Sequence, residues 1–161
     1  MVIKMDKKTN VMRILDKNKI KYNIYDYTNT DKVSGMDVAN YLNENPKQVF
    51  KTLVTEDSNK NYFVFMLPVD KELNLKKAAK SVGVKNVQML KQKDLFHLTG
   101  YVHGGCSPIG MKKAFETVID ITAKDFLTII FSGGKIGRQV EVSLEDLEKV
   151  IKYKLEDITK E

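Results

Sequence analysis

Lys51 interrupts an otherwise apolar run, Val49-Phe50-Lys51-Thr52-Leu53-Val54, in which both alternating faces read as those of a central strand. On a strand, Lys51 shares its face with Val49 and Leu53, so its ammonium points toward a core or a cleft. An unpaired buried ammonium is costly and tends to lose its proton. A cleft that receives an anionic or carbonyl-bearing ligand resolves the conflict; so does a lysine at a strand end, stem packed and head in water. Two glycine-rich segments follow. Gly100-Tyr-Val-His-Gly-Gly-Cys-Ser-Pro-Ile-Gly110 cannot form a helix or an ordinary strand. Its consecutive glycines allow a ligand close to the backbone, with N–H groups aimed at an anion or developing oxyanion. A plain tight loop is the other reading. It is no P-loop, because the Gly-Lys-Ser/Thr ending is missing and Lys112 and Lys113 come too late. Ser132-Gly-Gly-Lys-Ile-Gly-Arg138 sets two cations among three glycines, as a phosphate-contacting loop or a glycine hairpin would.

Other groups carry weaker signals. Cys106 and His103 lie three residues apart in a loop with no third orienting group, so Cys106 reads better as a small buried hydrophobe than as a nucleophile. His97 falls near a helix end. One cysteine and two histidines at no ligand spacing give no metal centre. Asp26, Asp120 and Asp125 are candidate acids without the pairing expected of a two-carboxylate mechanism.

The elements that must hold these residues alternate irregularly between helix and strand. Thr9 caps a helix carrying Val11, Ile14, Leu15 and Asn18 on one face. Tyr22 to Tyr27 reads as a strand, and Ser34 with Asp37 as a capping box for a helix whose face is Val38, Ala39, Tyr41 and Leu42. Val49 to Thr55 and Asn61 to Leu67 form a hairpin with a polar tip, Glu56 to Lys60. Asn74 caps a helix over Leu75 to Val82 that Gly83 ends; a short strand over Val87 to Leu90 and a helical turn over Lys93 to Leu98, ended by Gly100, follow. Strands at Phe115 to Ile119, Leu127 to Phe131 and Gln139 to Val142 precede a terminal helix capped by Ser143 with Asp146. The fold class expected is α+β: a mixed, strongly curved, barrel-like sheet with helices packed outside, one domain over residues 1–161.

Composition bounds the function classes. A hydrophobic fraction of 42% supports a packed core, and the longest apolar run, Tyr62 to Leu67, is far short of a membrane span. Met1 to Thr9 carries lysines without the apolar stretch of a secretory signal, and a single cysteine rules out an internal disulfide, so the expected compartment is the cytoplasm. The net charge of +6 draws acidic partners, nucleic acid foremost, although a lysine-rich solvated surface has the same composition. Only Arg13 and Arg138 are arginine, which argues against reading base edges in a DNA groove.

In their order and spacing, Phe50-Lys51-Thr52-Leu53, Leu73-Asn-Leu-Lys-Lys-Ala-Ala-Lys80, Gly100-Tyr101 with Gly104-Gly105-x-Ser107-Pro108-x-Gly110, and Ser132-Gly-Gly-Lys-x-Gly137 resemble the YbaK/EbsC family. These are free-standing relatives of the editing domain inserted in bacterial prolyl-tRNA synthetases, and the resemblance spans nearly the whole chain. It implies a Cys-tRNA(Pro) deacylase acting on the aminoacyl-tRNA acceptor end, with prolyl-tRNA synthetase as an implied partner and neither membrane nor DNA involved. It also implies that Lys51, Gly104 and Gly105 are the catalytic set. Tyr27, Tyr101, Ser107, Ser132, Gly133, Gly134 and Lys135 would form the substrate pocket. The family uses no metal, cofactor or protein nucleophile; the substrate's thiol attacks its own ester, releasing tRNA and a cysteine thiolactone. Better-known members can carry an aspartate shortly after Ser-Gly-Gly where this chain has Arg138-Gln139, so no role for that acid carries over. Relatives of the fold edit alanine or other amino acids. A non-catalytic aminoacyl-tRNA adaptor, or a regulatory partner held on a synthetase, is the alternative from another class.

Overall fold

Local side-chain chemistry sets most of the element boundaries in the computed structural model, which describes residues 8–161. The lysine-bearing start of the chain, residues 1–7, lies outside the described residues. Helix α1 (Asn10–Lys17) begins where Thr9 Oγ1 accepts from the Met12 N–H at 3.2 Å. An edge strand β1 (Asn23–Asp26) leads to α2 (Gly35–Tyr41), which Ser34 caps by accepting from the Asp37 N–H. Strands β2 (Phe50–Glu56) and β3 (Tyr62–Pro68) form the expected hairpin, its tip held by Asp57 Oδ1, which accepts from the Asn59 and Asn61 N–H groups at 2.9 Å. Next come α3 (Leu75–Ser81) under its Asn74 cap, the two-residue β4 (Gln88–Met89) and α4 (Gln92–Thr99), which Gly100 ends at φ +87°. The last third runs β5 (Glu116–Asp120), a 3-10 turn Ile121–Asp125, β6 (Thr128–Ser132), β7 (Arg138–Ser143), α5 (Leu144–Leu147) and β8 (Lys154–Glu156).

These strands make two open sheets. One has the order β1-β7-β6 and is antiparallel; the other has the order β4-β2-β3-β5-β8 and is mixed, with β3, β5 and β8 parallel. Helix and sheet mix in one unit as expected, but no sheet closes into a barrel. The sheets instead meet at the parallel Val49–Ile130 bridge, where the Ile130 N–H donates to the Gln48 carbonyl at 3.0 Å. The helix at Ser143 is a single turn and not terminal: β8 follows it. A three-residue strand that pairs in parallel with distant β5 leaves little local signal.

Strand β3 is the centre of the molecule. Its alternation sends Val64 and Met66 into a core shared with Met12 and Leu15 of α1, Phe50, Ile119 and Phe131. Phe63, Phe65 and Leu67 pack on the other face against Ala78 and Ala79 of α3, Val118 and Ile158. With both faces covered by helices, the hairpin is a rigid wall, and Lys51 stands on it opposite Leu67.

Candidate active site

Between the two sheets, the start of α2 and the Gly104 loop lies a cavity of about 410 Å³. That size is within the usual range for a small-ligand pocket, about 300–1,000 Å³. β2 supplies Phe50, Lys51, Thr52 and Leu53; β6 supplies Phe131 and Ser132; β7 supplies Gln139. Tyr27, Ser34 to Met36, His103, Gly104 and Cys106 complete much of the wall.

Both Lys51 and its neighbour Thr52 line the cavity where β2 is the open edge of its sheet: β4 pairs with β2 only at Thr55 and Glu56. Lys51 is half-buried, and burial holds its ammonium below the ordinary lysine pKa. Asp70 and Glu72 act in the opposite direction from a distance, and they face Lys47 at 3.0 Å and Lys160 at 3.8 Å. The ammonium is thus a cation with a weak local counter-charge, aimed into a pocket.

The Gly104 loop lines the same cavity as this cation, in a backbone form that needs glycine. Gly104 has φ +88°, and the Gly105 N–H donates to the Val102 carbonyl at 2.9 Å. Gly105 itself packs against the backbone of Lys135 and Ile136, so the two glycine segments brace one another. In the second segment the Gly134 N–H donates to Ser132 Oγ at 3.1 Å and the Gly133 N–H to the Arg138 carbonyl at 2.8 Å, closing the turn between β6 and β7.

Of the residues singled out from the sequence, Tyr27, Lys51, Gly104 and Ser132 line the cavity. Gly105, Gly133 and Gly134 belong to the bracing behind it, and Lys135 is exposed on the turn. Tyr101 and Ser107 are buried: the Tyr101 hydroxyl donates to the Ile109 carbonyl, and Ser107 Oγ accepts from the Ile109 N–H. Both shape the loop from within. Tyr27 is held above the ordinary phenol pKa, chiefly by burial.

The remaining candidates also fall into place. Cys106 touches the cavity, yet burial pushes its thiol up to about 12, leaving it protonated at neutral pH. Asp120 is a structural acid that accepts from Thr122 and from the Ile158 N–H at 3.1 Å. Asp26 pairs with Arg138 at 3.2 Å, and Asp125 is exposed. Among the described residues no group of three or more His, Cys, Asp and Glu side chains converges. Sequence reasoning passed over Gln139, Thr52, Met36 and Phe50 as cavity residues. Gln139, a polar residue between the apolar Val140 and Val142 of β7 and the turn, was the available signal.

Residues 31–150, which include the cavity wall from Val33 through Gln139, match the model of the aminoacyl-tRNA editing domain. A chain from Enterococcus faecalis, named as the Cys-tRNA(Pro)/Cys-tRNA(Cys) deacylase EbsC, is 41% identical over 97% of this chain and 96% of its own. The chain belongs to the aminoacyl-tRNA editing domain family. A proline–tRNA ligase from Trichlorobacter lovleyi is 23% identical over 70% of this chain; that match spans only 21% of the ligase. A crystal structure described as a trans-editing enzyme for prolyl tRNA synthetase superposes at a TM-score of 0.79 with 18% identity, covering 94% of this chain and 95% of that one. At that identity the likeness speaks to the fold alone. Among the described residues no helix is long and apolar enough to cross a membrane.

Proposed function

We propose that the protein is a trans-editing deacylase that releases mischarged cysteine from tRNA(Pro), with residues 1–161 acting as one editing unit in the cytoplasm and prolyl-tRNA synthetase as a partner. The observation that carries this reading is the half-buried Lys51 ammonium facing a small cavity beside the Gly104 loop. A cation on the cavity wall suits the acceptor end, through its phosphate or ribose. The glycine backbone suits an oxyanion that forms during acyl transfer. The Enterococcus relative, named as a Cys-tRNA deacylase, supports the same substrate.

In the proposed reaction the substrate's thiol is the nucleophile. Its sulfur bonds to the ester carbonyl carbon, the carbon–oxygen bond to the terminal ribose breaks, and the thiol proton ends on the departing ribose hydroxyl. The products are free tRNA and a cysteine thiolactone. Lys51 fixes the acceptor end, the Gly104 backbone faces the developing oxyanion, Gly105 holds that loop through its bond to the Val102 carbonyl, and Tyr27 and Ser132 shape the pocket around the short side chain. Confining thiol and carbonyl in a small pocket is where the acceleration comes from. The test is release of cysteine from Cys-tRNA(Pro) by purified protein, with and without prolyl-tRNA synthetase. An inactive protein that still binds the aminoacyl-tRNA would favour the adaptor reading instead.

A further inference from the structure

Gln139 brings an unsatisfied acceptor to the cavity wall. The residue is only 4% exposed, it lines the cavity, and its Oε1 has no hydrogen-bond partner among the described residues. Its backbone is fixed on both sides, opposite Tyr25 on β1 and Ser132 on β6. A buried acceptor left unpaired is costly, so a native protein keeps one where something donates to it.

Glu44 supplies the charge behind that oxygen. It follows α2, outside the cavity lining; burial pushes its carboxyl up to about 7, and the Gln139 amide against it acts the other way, toward the ionised form. Both Glu44 oxygens are otherwise buried without a hydrogen bond of ordinary geometry. An amide that turns its NH₂ toward a carboxylate turns its oxygen away, and Gln139 is a residue of the cavity wall. Glu141, the other carboxylate that acts on Glu44, is already engaged: the Tyr25 hydroxyl, Thr128 Oγ1 and Asn23 Nδ2 all donate to it. Arg138 is paired with Asp26. Among the described residues no Asp or Glu lines the cavity itself, so Glu44 through Gln139 is its route to negative potential.

We propose that Gln139 accepts a hydrogen bond from the α-ammonium group of the aminoacyl ester, with Glu44 as the positioning residue that orients the amide and, when ionised, supplies the counter-charge. The cavity is then polar end to end, with the Lys51 cation on the β2 wall and the Glu44–Gln139 pair behind the β7 wall. An aminoacyl ester has the matching polarity, phosphate and carbonyl at one end and ammonium at the other. The unpartnered Thr52 Oγ1 also lines the cavity, but a hydroxyl donates as readily as it accepts and does not select a cation.

This inference rests on the deacylase reading, and its test is arranged to fail separately. The probes are two tRNAs carrying cysteine through a stable 3′-amide, one with a free α-amine and one N-acetylated, and the readout is the ratio of their dissociation constants. The wild type should bind the free amine about tenfold or more tightly, the worth of one hydrogen bond to a charged group. Gln139→Met should bring that ratio near one by weakening the free-amine probe alone, and Glu44→Leu, which leaves the cavity lining intact, should lower it part of the way. Equal binding of both probes by the wild type, or an unchanged ratio in either folded variant, overturns the proposal. Ester cleavage is measured alongside. An amine preference without cleavage removes the deacylase reading alone, and cleavage without an amine preference removes this one alone.

Discussion

Gly104 sits so close to Val33 that a Cβ on Gly104 would fall 2.5 Å from Val33 Cγ1. With φ at +88°, the position is closed to other residues on two counts, crowding and backbone strain. Gly104→Ala should therefore lose about 1–3 kcal/mol of stability, the usual cost of a non-glycine residue held in this region. It should also displace the loop from Lys51 and depress deacylation. Trimming the neighbour as well, in Gly104→Ala/Val33→Ala, removes the crowding but not the strain, so thermal melting should show partial recovery. Full recovery would assign the whole effect to the side-chain clash.

Lys51 carries a different balance. Burial already disfavours its ammonium, so the charge is held against a cost and its removal should not weaken the fold. Lys51→Ala should keep the wild-type melting temperature while losing about a hundredfold or more in kcat/KM, the scale of removing one electrostatic stabiliser. Lys51→Arg should recover only part of this, because a planar guanidinium differs from a compact ammonium in shape and hydration. A folded Lys51→Ala protein with full activity would remove the lysine from the mechanism.

Cys106 tests whether the protein supplies a nucleophile. Its thiol, pushed up to about 12 by burial, offers almost no thiolate at neutral pH. Cys106→Ser should change the rate by about threefold at most, since no acyl-enzyme is involved. Alkylating reagents should react slowly and leave turnover intact. Mass spectrometry of quenched reactions should find no acyl group on the protein, and an acylated Cys106 would reverse the mechanism.

Local rules carried the fold a long way. Thr9, Ser34, Asn74 and Ser143 each announce a helix start by a side chain that can accept from the first turn, and each does so in the structure. The β2–β3 hairpin was legible because its two apolar runs flank a polar tip. Sheet closure was not legible: whether β2 continues toward β6 as one curved sheet or breaks at the Val49–Ile130 bridge depends on pairing between distant residues. The same limit applies to the site. Lys51 stood out as a charge in an apolar run, whereas Gln139 and Glu44 acquire meaning only when β7 and the end of α2 come together.

Glu44 also predicts a pH dependence of stability. Burial, reinforced by Glu141 and offset by the Gln139 amide, pushes its carboxyl up from 4.5 to about 7. Between those values the folded protein holds a proton that the unfolded chain has released. This contribution to stability is therefore full below about pH 4.5 and is lost as pH rises through about 7. After allowance for its half-exposed setting, the loss is on the order of 1 kcal/mol. Urea unfolding should show Glu44→Gln more stable than the wild type at pH 8, with the gap narrowing at pH 5. A gap that widens toward acid would mean that Glu44 is stabilised as the anion.

The identity of the attacking atom is decided by the amino acid, with the tRNA held constant. Cysteinyl, seryl and alanyl esters on one tRNA share the same acceptor end, so Lys51 and the glycine loop see the same ribose, phosphate and carbonyl. If the cysteine thiol attacks its own ester, confinement supplies the acceleration; well-oriented intramolecular reactions reach effective molarities of about 10⁵ M or more. Serine is nearly isosteric and should bind comparably, yet its hydroxyl offers far less anion than a thiol with a reference pKa of about 8.5. Seryl and alanyl esters should thus turn over at least about a hundredfold more slowly while competing for the same site. The product completes the test: a thiolactone, detected by mass spectrometry of rapidly quenched reactions before it hydrolyses, appears only if sulfur attacks. Comparable rates for alanine, which has no nucleophilic side chain, would put an activated water in the cavity and recast Lys51 and the Gly104 loop as parts of a conventional esterase.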